Sequence, residues 1–128
     1  MRRRWIAAAA LVATGCSSGP VQCGACAGPG YVLSGVPDVL RHAVVTVCTG
    51  DHPCRTIRDR EPLRTQGQQF LELPSGTRWD DYDGVPVRVS VRASQGRWEG
   101  TGTFDYTPSD GSPCDCGSLV AEVPLTAR

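Results

Sequence analysis

Seven cysteines are the residues of this 128-residue chain best able to do chemistry, and their spacing sorts them. Cys16 follows Ala13-Thr14-Gly15, Cys23 and Cys26 form a Cys-x-x-Cys pair, Cys48 and Cys54 bracket Thr-Gly-Asp-His-Pro, and Cys114 and Cys116 flank one aspartate. A cysteine can be a nucleophile, a metal ligand, half of a disulfide or a site of acylation, and its surroundings decide which. An odd number in an exported chain leaves one cysteine that needs a fate other than an internal disulfide.

The N-terminus supplies that fate. Met1-Arg2-Arg3-Arg4 is a charged start, Trp5 to Ala13 an apolar run, and Thr14-Gly15 a pair of small residues, the three parts of an export signal. Nine apolar residues fall well short of the roughly 20 that span a bilayer. Ala13-Thr14-Gly15-Cys16 resembles the lipobox of bacterial lipoproteins, and a composition rich in Ala, Gly, Pro, Val and Arg, without lysine or asparagine, resembles that of actinobacterial proteins. The resemblance implies that residues 1–15 are a removed signal peptide and that Cys16 carries diacylglycerol and a palmitate-type acyl chain. It also implies that residues 16–29 are a tether, with Ser17-Ser18-Gly19-Pro20 as its flexible part, and that the protein is held on the extracytoplasmic face of the cell membrane. Removing the signal leaves ten arginines against thirteen acids. That mildly acidic balance, with no basic stripe along the sequence, argues against a nucleic-acid partner.

Six cysteines then remain, an even set in an oxidising compartment. Cys48 and Cys54 enclose turn-forming residues, so a local hairpin disulfide is expected there. A bond between Cys114 and Cys116 would close a very small strained ring, so Cys23 and Cys26 are the natural partners of those two. Such bonds would close long loops, each worth about 4–5 kcal/mol in the chain-entropy model. Two other uses of the set form an alternative reading, a thiol-disulfide redox or metal-binding protein. Cys23-Gly-Ala-Cys26 resembles the thioredoxin-like redox motif, but that chemistry needs a thiol at a helix N-terminus after a strand, and no strand precedes it. A tetrahedral zinc could take all four thiolates, although Cys-x-Cys is one residue short of the usual spacing.

Outside the cysteines, Trp79-Asp80-Asp81-Tyr82-Asp83-Gly84 sets carboxylates beside aromatics. Counted from Asp81, the twelfth position is Arg92, where an EF-hand requires a bidentate glutamate, so the segment is not such a calcium loop. As an exposed loop, Trp79, Asp80, Asp81, Tyr82 and Asp83 would instead form a contact surface for a partner. His42 and His52 are the only histidines, and no Gly-x-Ser-x-Gly elbow accompanies them. No catalytic residue, metal site or cofactor is assigned.

Short runs that read as strands must position these groups: Tyr31 to Ser34, His42 to Thr49, Cys54 to Asp59, Gln69 to Leu73, Val85 to Ser94, Gly100 to Thr107 and Ser118 to Thr126. In Val85 to Ser94 every odd position is apolar, the period of a strand with one buried face, and Pro86 suggests that it starts at a sheet edge. Leu119, Ala121, Val123 and Leu125 repeat the pattern. Val36 to Arg41 and Arg60 to Gly67 have room for a helical turn at most, since Pro37 and Pro62 limit them. Trp98, Phe104 and Tyr106 read as core aromatics. The spacing predicts an all-β domain over residues 30–128, a sandwich of about seven strands. With its strand-flanking cysteines it resembles small immunoglobulin-like domains of secreted and lipid-anchored actinobacterial proteins. That resemblance implies a disulfide-stapled, non-catalytic module that binds an extracellular protein, a glycan or another envelope partner.

Overall fold

A computed structural model describes residues 26, 28–58 and 61–128. The signal and anchor assigned to residues 1–16, and Cys23, lie outside the described residues.

Among these the chain is all-β. In chain order the strands are β1 (Gly30–Ser34), β2 (Val39–Leu40), β3 (Val44–Thr49), β4 (Arg55–Arg58), β5 (Leu63–Arg64), β6 (Gln68–Phe70), β7 (Pro86–Ala93), β8 (Gly96–Thr107) and β9 (Ser118–Ala127), with one 3₁₀ turn at Trp79–Tyr82. Seven form a single sheet in the order β4-β3-β7-β8-β9-β1-β6, and β2 pairs with β5 separately. Neighbours are antiparallel except β1 and β9, which run parallel from Gly30↔Val120 to Ser34↔Pro124.

Alternation decides which face is inside. Val87, Val89 and Val91 of β7 are at most 1% exposed, while Arg88, Ser90 and Arg92 face out. Their partners continue the apolar side, with Val45↔Val91 and Val47↔Val89 on one flank and Val91↔Trp98 on the other. Leu119, Ala121, Val123 and Leu125 supply the same side of β9. One sheet thus carries one apolar face, and among the described residues no helical layer covers it. Burying that face requires the sheet to curl until its two halves pack on each other, so the sandwich is made by one continuous sheet.

The middle of β8 is where the chain allows this. Gly100 and Gly102 stand opposite Val89 and Val87, on the concave side. A Cβ on Gly100 would collide with the Pro124 carbonyl, and one on Gly102 with the Glu122 carbonyl. Glycine therefore lets the β9 backbone press close against β8. The β8–β9 ladder is interrupted there, between Gly100↔Leu125 and Phe104↔Ala121, where Pro124 has no N–H to donate.

Three local expectations need correction. Pro86 begins β7, but β7 lies inside the sheet between β3 and β8, and a proline at the first residue of a strand is compatible with that. Neither Val36 to Arg41 nor the described part of Arg60 to Gly67 is helical. Each contributes two residues to the small sheet, because Leu40 is fully buried and Leu63 packs on the core. Thr65 fixes that sheet through its backbone N–H to the Asp38 carbonyl (2.9 Å) and its hydroxyl to the Pro37 carbonyl (2.6 Å). Finally, Trp79–Tyr82 is a 3₁₀ turn with no side-chain cap.

Gly102→Ala is expected to lower stability by about 1–3 kcal/mol, the usual cost of inserting atoms where the backbone leaves no space. Urea denaturation at equilibrium checks it. A neutral result would remove Gly102 from the account of the curl.

Candidate functional site

Curling brings the two edge strands, β4 and β6, face to face without joining them. They run antiparallel across a seam, since β4 opposes β3 and β6 opposes β1. Both are short, and every residue of β4 is exposed. The arginines of β4 blunt an edge that would otherwise template pairing with another chain. Arg55 straps the seam: its guanidinium donates to the Glu72 carbonyl and to the Glu72 carboxylate, both at 3.0 Å.

On one side of this strap lies a cleft of about 560 Å³, walled by Val47, Pro53, Leu71, Leu73 and Pro74 and edged by Thr49, His52, Arg55, Glu72 and Tyr82. On the other side, Tyr31, Leu33, Val45 and Leu63 floor a hollow of about 240 Å³ whose rim is Ile57 and Phe70. Phe70 is 65% exposed. Apolar walls with a few converging polar groups, at a volume of several hundred Å³, are what small-molecule sites share.

The Cys48–Cys54 disulfide positions one wall. It closes the β3–β4 hairpin with the two Cα atoms 4.2 Å apart, and the enclosed turn holds His52 at the mouth of the cleft. The ring of His52 lies nearly parallel to that of Tyr82, centroids 5.7 Å apart, and its Nε2 shares a hydrogen bond of 3.1 Å with the Tyr82 hydroxyl. Tyr82 in turn meets Phe104 edge to face at 6.0 Å, which ties the rim to the centre of the core.

Tyr82 overturns the expectation of an exposed aromatic pair. It is only 6% exposed, and Trp79 is half-buried against the same core. The 3₁₀ turn carries both rings inward, Tyr82 onto Phe104 of β8 and Trp79 onto the core beside it. The carboxylates are also partly engaged. Asp80 accepts from Arg78 at 3.2 and 3.0 Å, and this hydrogen-bonded pairing holds its carboxyl below the ordinary aspartate range. Asp83 accepts the backbone N–H of Tyr106 at 3.0 Å. Asp81 is exposed.

At the far end of the long β8–β9 hairpin, Cys26 is bonded to Cys116 across 90 residues of sequence. Cys114 is disulfide-bonded as well; Cys23, left as its expected partner, lies outside the described residues. With its sulfur joined to Cys116, Cys26 is not available to close a Cys-x-x-Cys redox ring. The loop that presents Cys116 is ordered by its own carboxylates: Asp115 accepts from the backbone N–H groups of Asp110 and Gly117, both at 2.9 Å, and Asp110 accepts from that of Ser112 at 2.8 Å. A hydrogen bond from the Ser112 side chain, with a second from its backbone, keeps the Asp110 carboxyl below its ordinary range.

His42, read as the start of a strand, instead sits before β3 in the left-handed region at φ 54°. Sequence reasoning missed the seam cleft, whose walls come from segments about twenty residues apart that never pair. One signal was available: Leu71 and Leu73 alternate with Glu72 just past a strand end, a pattern that asks for an apolar neighbour. No protein-family model, no curated protein and no solved structure matches the chain.

Tyr82→Ala is expected to cost about 3 kcal/mol or more, as for a large aromatic removed from a core, and Tyr82→Phe about 0.5–1.5 kcal/mol for the lost hydrogen bond. Thermal denaturation of the two variants checks this. Near-neutral values for both would return the ring to the surface role expected from the sequence.

Proposed function

We propose that this protein is a non-catalytic, lipid-anchored binding module on the extracytoplasmic face of the cell membrane. In this reading the seam cleft receives an apolar group with a polar end, presented by an envelope or extracellular partner. The observation that carries it is the cleft itself, with apolar walls, a rim of His52, Arg55 and Glu72, and an opening between two unjoined strand edges. The anchor rests on the run from Arg2 to Cys16, whose charged, apolar and small-residue parts end at the odd cysteine. A bacterial, actinobacterial source is part of the same reading and rests on the lipobox-like tetrad and the all-arginine basic composition. Lipid at Cys16 would hold the domain close to the membrane, since Cys26, ten residues later, is already bonded to Cys116. Asp81, the exposed edge of Trp79 and the Arg78–Asp80 pair extend this contact surface beyond the rim.

Two experiments test the two halves separately. Replacing Cys16 with serine is expected to move the protein from the membrane fraction to the soluble one and to remove the mass of the lipid; unchanged retention with no mass shift would contradict the anchor. For the cleft, the fluorescent probe anilinonaphthalene sulfonate, an apolar bicycle with one anionic end, is expected to bind the native protein with a saturable rise in emission. Leu73→Trp, which fills the cleft, is expected to weaken binding at least tenfold without lowering the melting temperature. Equal binding by both proteins would contradict the assignment.

A further inference from the structure

The outer face of the sheet carries a second feature, independent of the cleft. Although the sequence shows no basic stripe, the strand register builds one. Arg58 stands opposite Val44, Val44 opposite Arg92, and Arg92 opposite Arg97, on four successive strands β4-β3-β7-β8. Arg128 joins the row through its backbone N–H to the Arg97 carbonyl at 2.9 Å. The next rung holds Thr56, Thr46 and Ser90. Together they line a shallow groove of about 600 Å³ in which Glu99 is the only acid, and Glu99 is taken by Arg128 at 3.2 Å.

Arg92 and Arg97 face each other directly as like charges, an arrangement that destabilises a sheet. Among the described residues neither they nor Arg58 make an ion pair. Among the described residues, three guanidinium groups outside any ion pair thus share one row across the sheet.

We propose that this groove binds an acidic polysaccharide through its carboxylate groups. Guanidinium forks match carboxylates in bidentate fashion, and strand spacing sets the backbones of Arg92 and Arg97 about 5 Å apart and that of Arg58 about 10 Å from Arg92. The hydroxyls of Thr46, Thr56 and Ser90 give and accept hydrogen bonds as sugar hydroxyls require. No aromatic side chain lines the groove, so nucleic-acid bases have no stacking platform. The groove lies at the opposite end of the β8–β9 hairpin from the Cys26–Cys116 staple.

The test is titration of the full chain with polygalacturonate at low and moderate salt, beside double-stranded DNA and phosphatidylglycerol vesicles. Binding to polygalacturonate is expected to exceed binding to the other two. Arg92→Gln combined with Arg97→Gln is expected to weaken it at least tenfold and to reduce the salt slope by about one per arginine, while the melting temperature stays equal or rises as the like-charge opposition is relieved. Arg64→Gln, on the small sheet, is expected to leave binding unchanged. The proposal is overturned if polygalacturonate does not bind, if the double variant binds as well as the native chain, or if DNA or vesicles bind more tightly.

Discussion

A single large sheet with one apolar face and, among the described residues, no helical layer over it has to cover much of itself. Everything else in this domain follows from that requirement. The stripes of β7 and β9 can leave water only if the sheet bends enough for β1 and β6 to lie against β3 and β4, and the bend needs a place where two backbones can approach without side chains between them. Gly100 and Gly102 provide it at the interrupted part of the β8–β9 ladder. The curl stops short of closure, which leaves β4 and β6 as facing edges and makes the seam cleft a by-product of burying the core.

The ends of the curled sheet are secured by covalent and polar means because apolar area is scarce there. A domain of roughly 100 residues has little burial to spare over the entropy it must overcome. The Cys48–Cys54 bond holds a hairpin whose outer strand buries nothing, and the Cys26–Cys116 bond attaches Cys26 to a loop that aspartate and serine side chains also order. The exposed Arg55–Glu72 strap contributes little to stability, as surface pairs do. It does bridge the seam between the two hollows.

What could be read from the sequence was whatever repeats with a short period. Val85 to Ser94 and Leu119 to Leu125 announce their buried faces because two-residue alternation is a local property, and the same rule located β1, β3, β4, β6 and β8 to within a few residues. Features made by long-range closure were not legible. Arg55 meets Glu72, and Arg58 lines up with Arg92, Arg97 and Arg128, only after strands distant in sequence are in register. Tyr82 was misplaced because its neighbours are three aspartates, and polar neighbours hide a single ring that turns inward to meet Phe104. Residues 36–41 and 61–67 resisted assignment because two-residue strands carry no period at all.

The central claim is that the sheet curls until its edges face each other, and the absence of lysine from the chain makes it directly testable. In a flat sheet β4 and β6 would stand six strand spacings apart, about 29 Å. A variant combining Ile57→Lys with Phe70→Glu places one amine and one carboxylate on opposite sides of the seam, and carbodiimide treatment forms an amide with no spacer. Peptide mapping is expected to recover a cross-link between positions 57 and 70. An amine left unreacted, or coupled only to carboxylates elsewhere, would contradict the curled sheet.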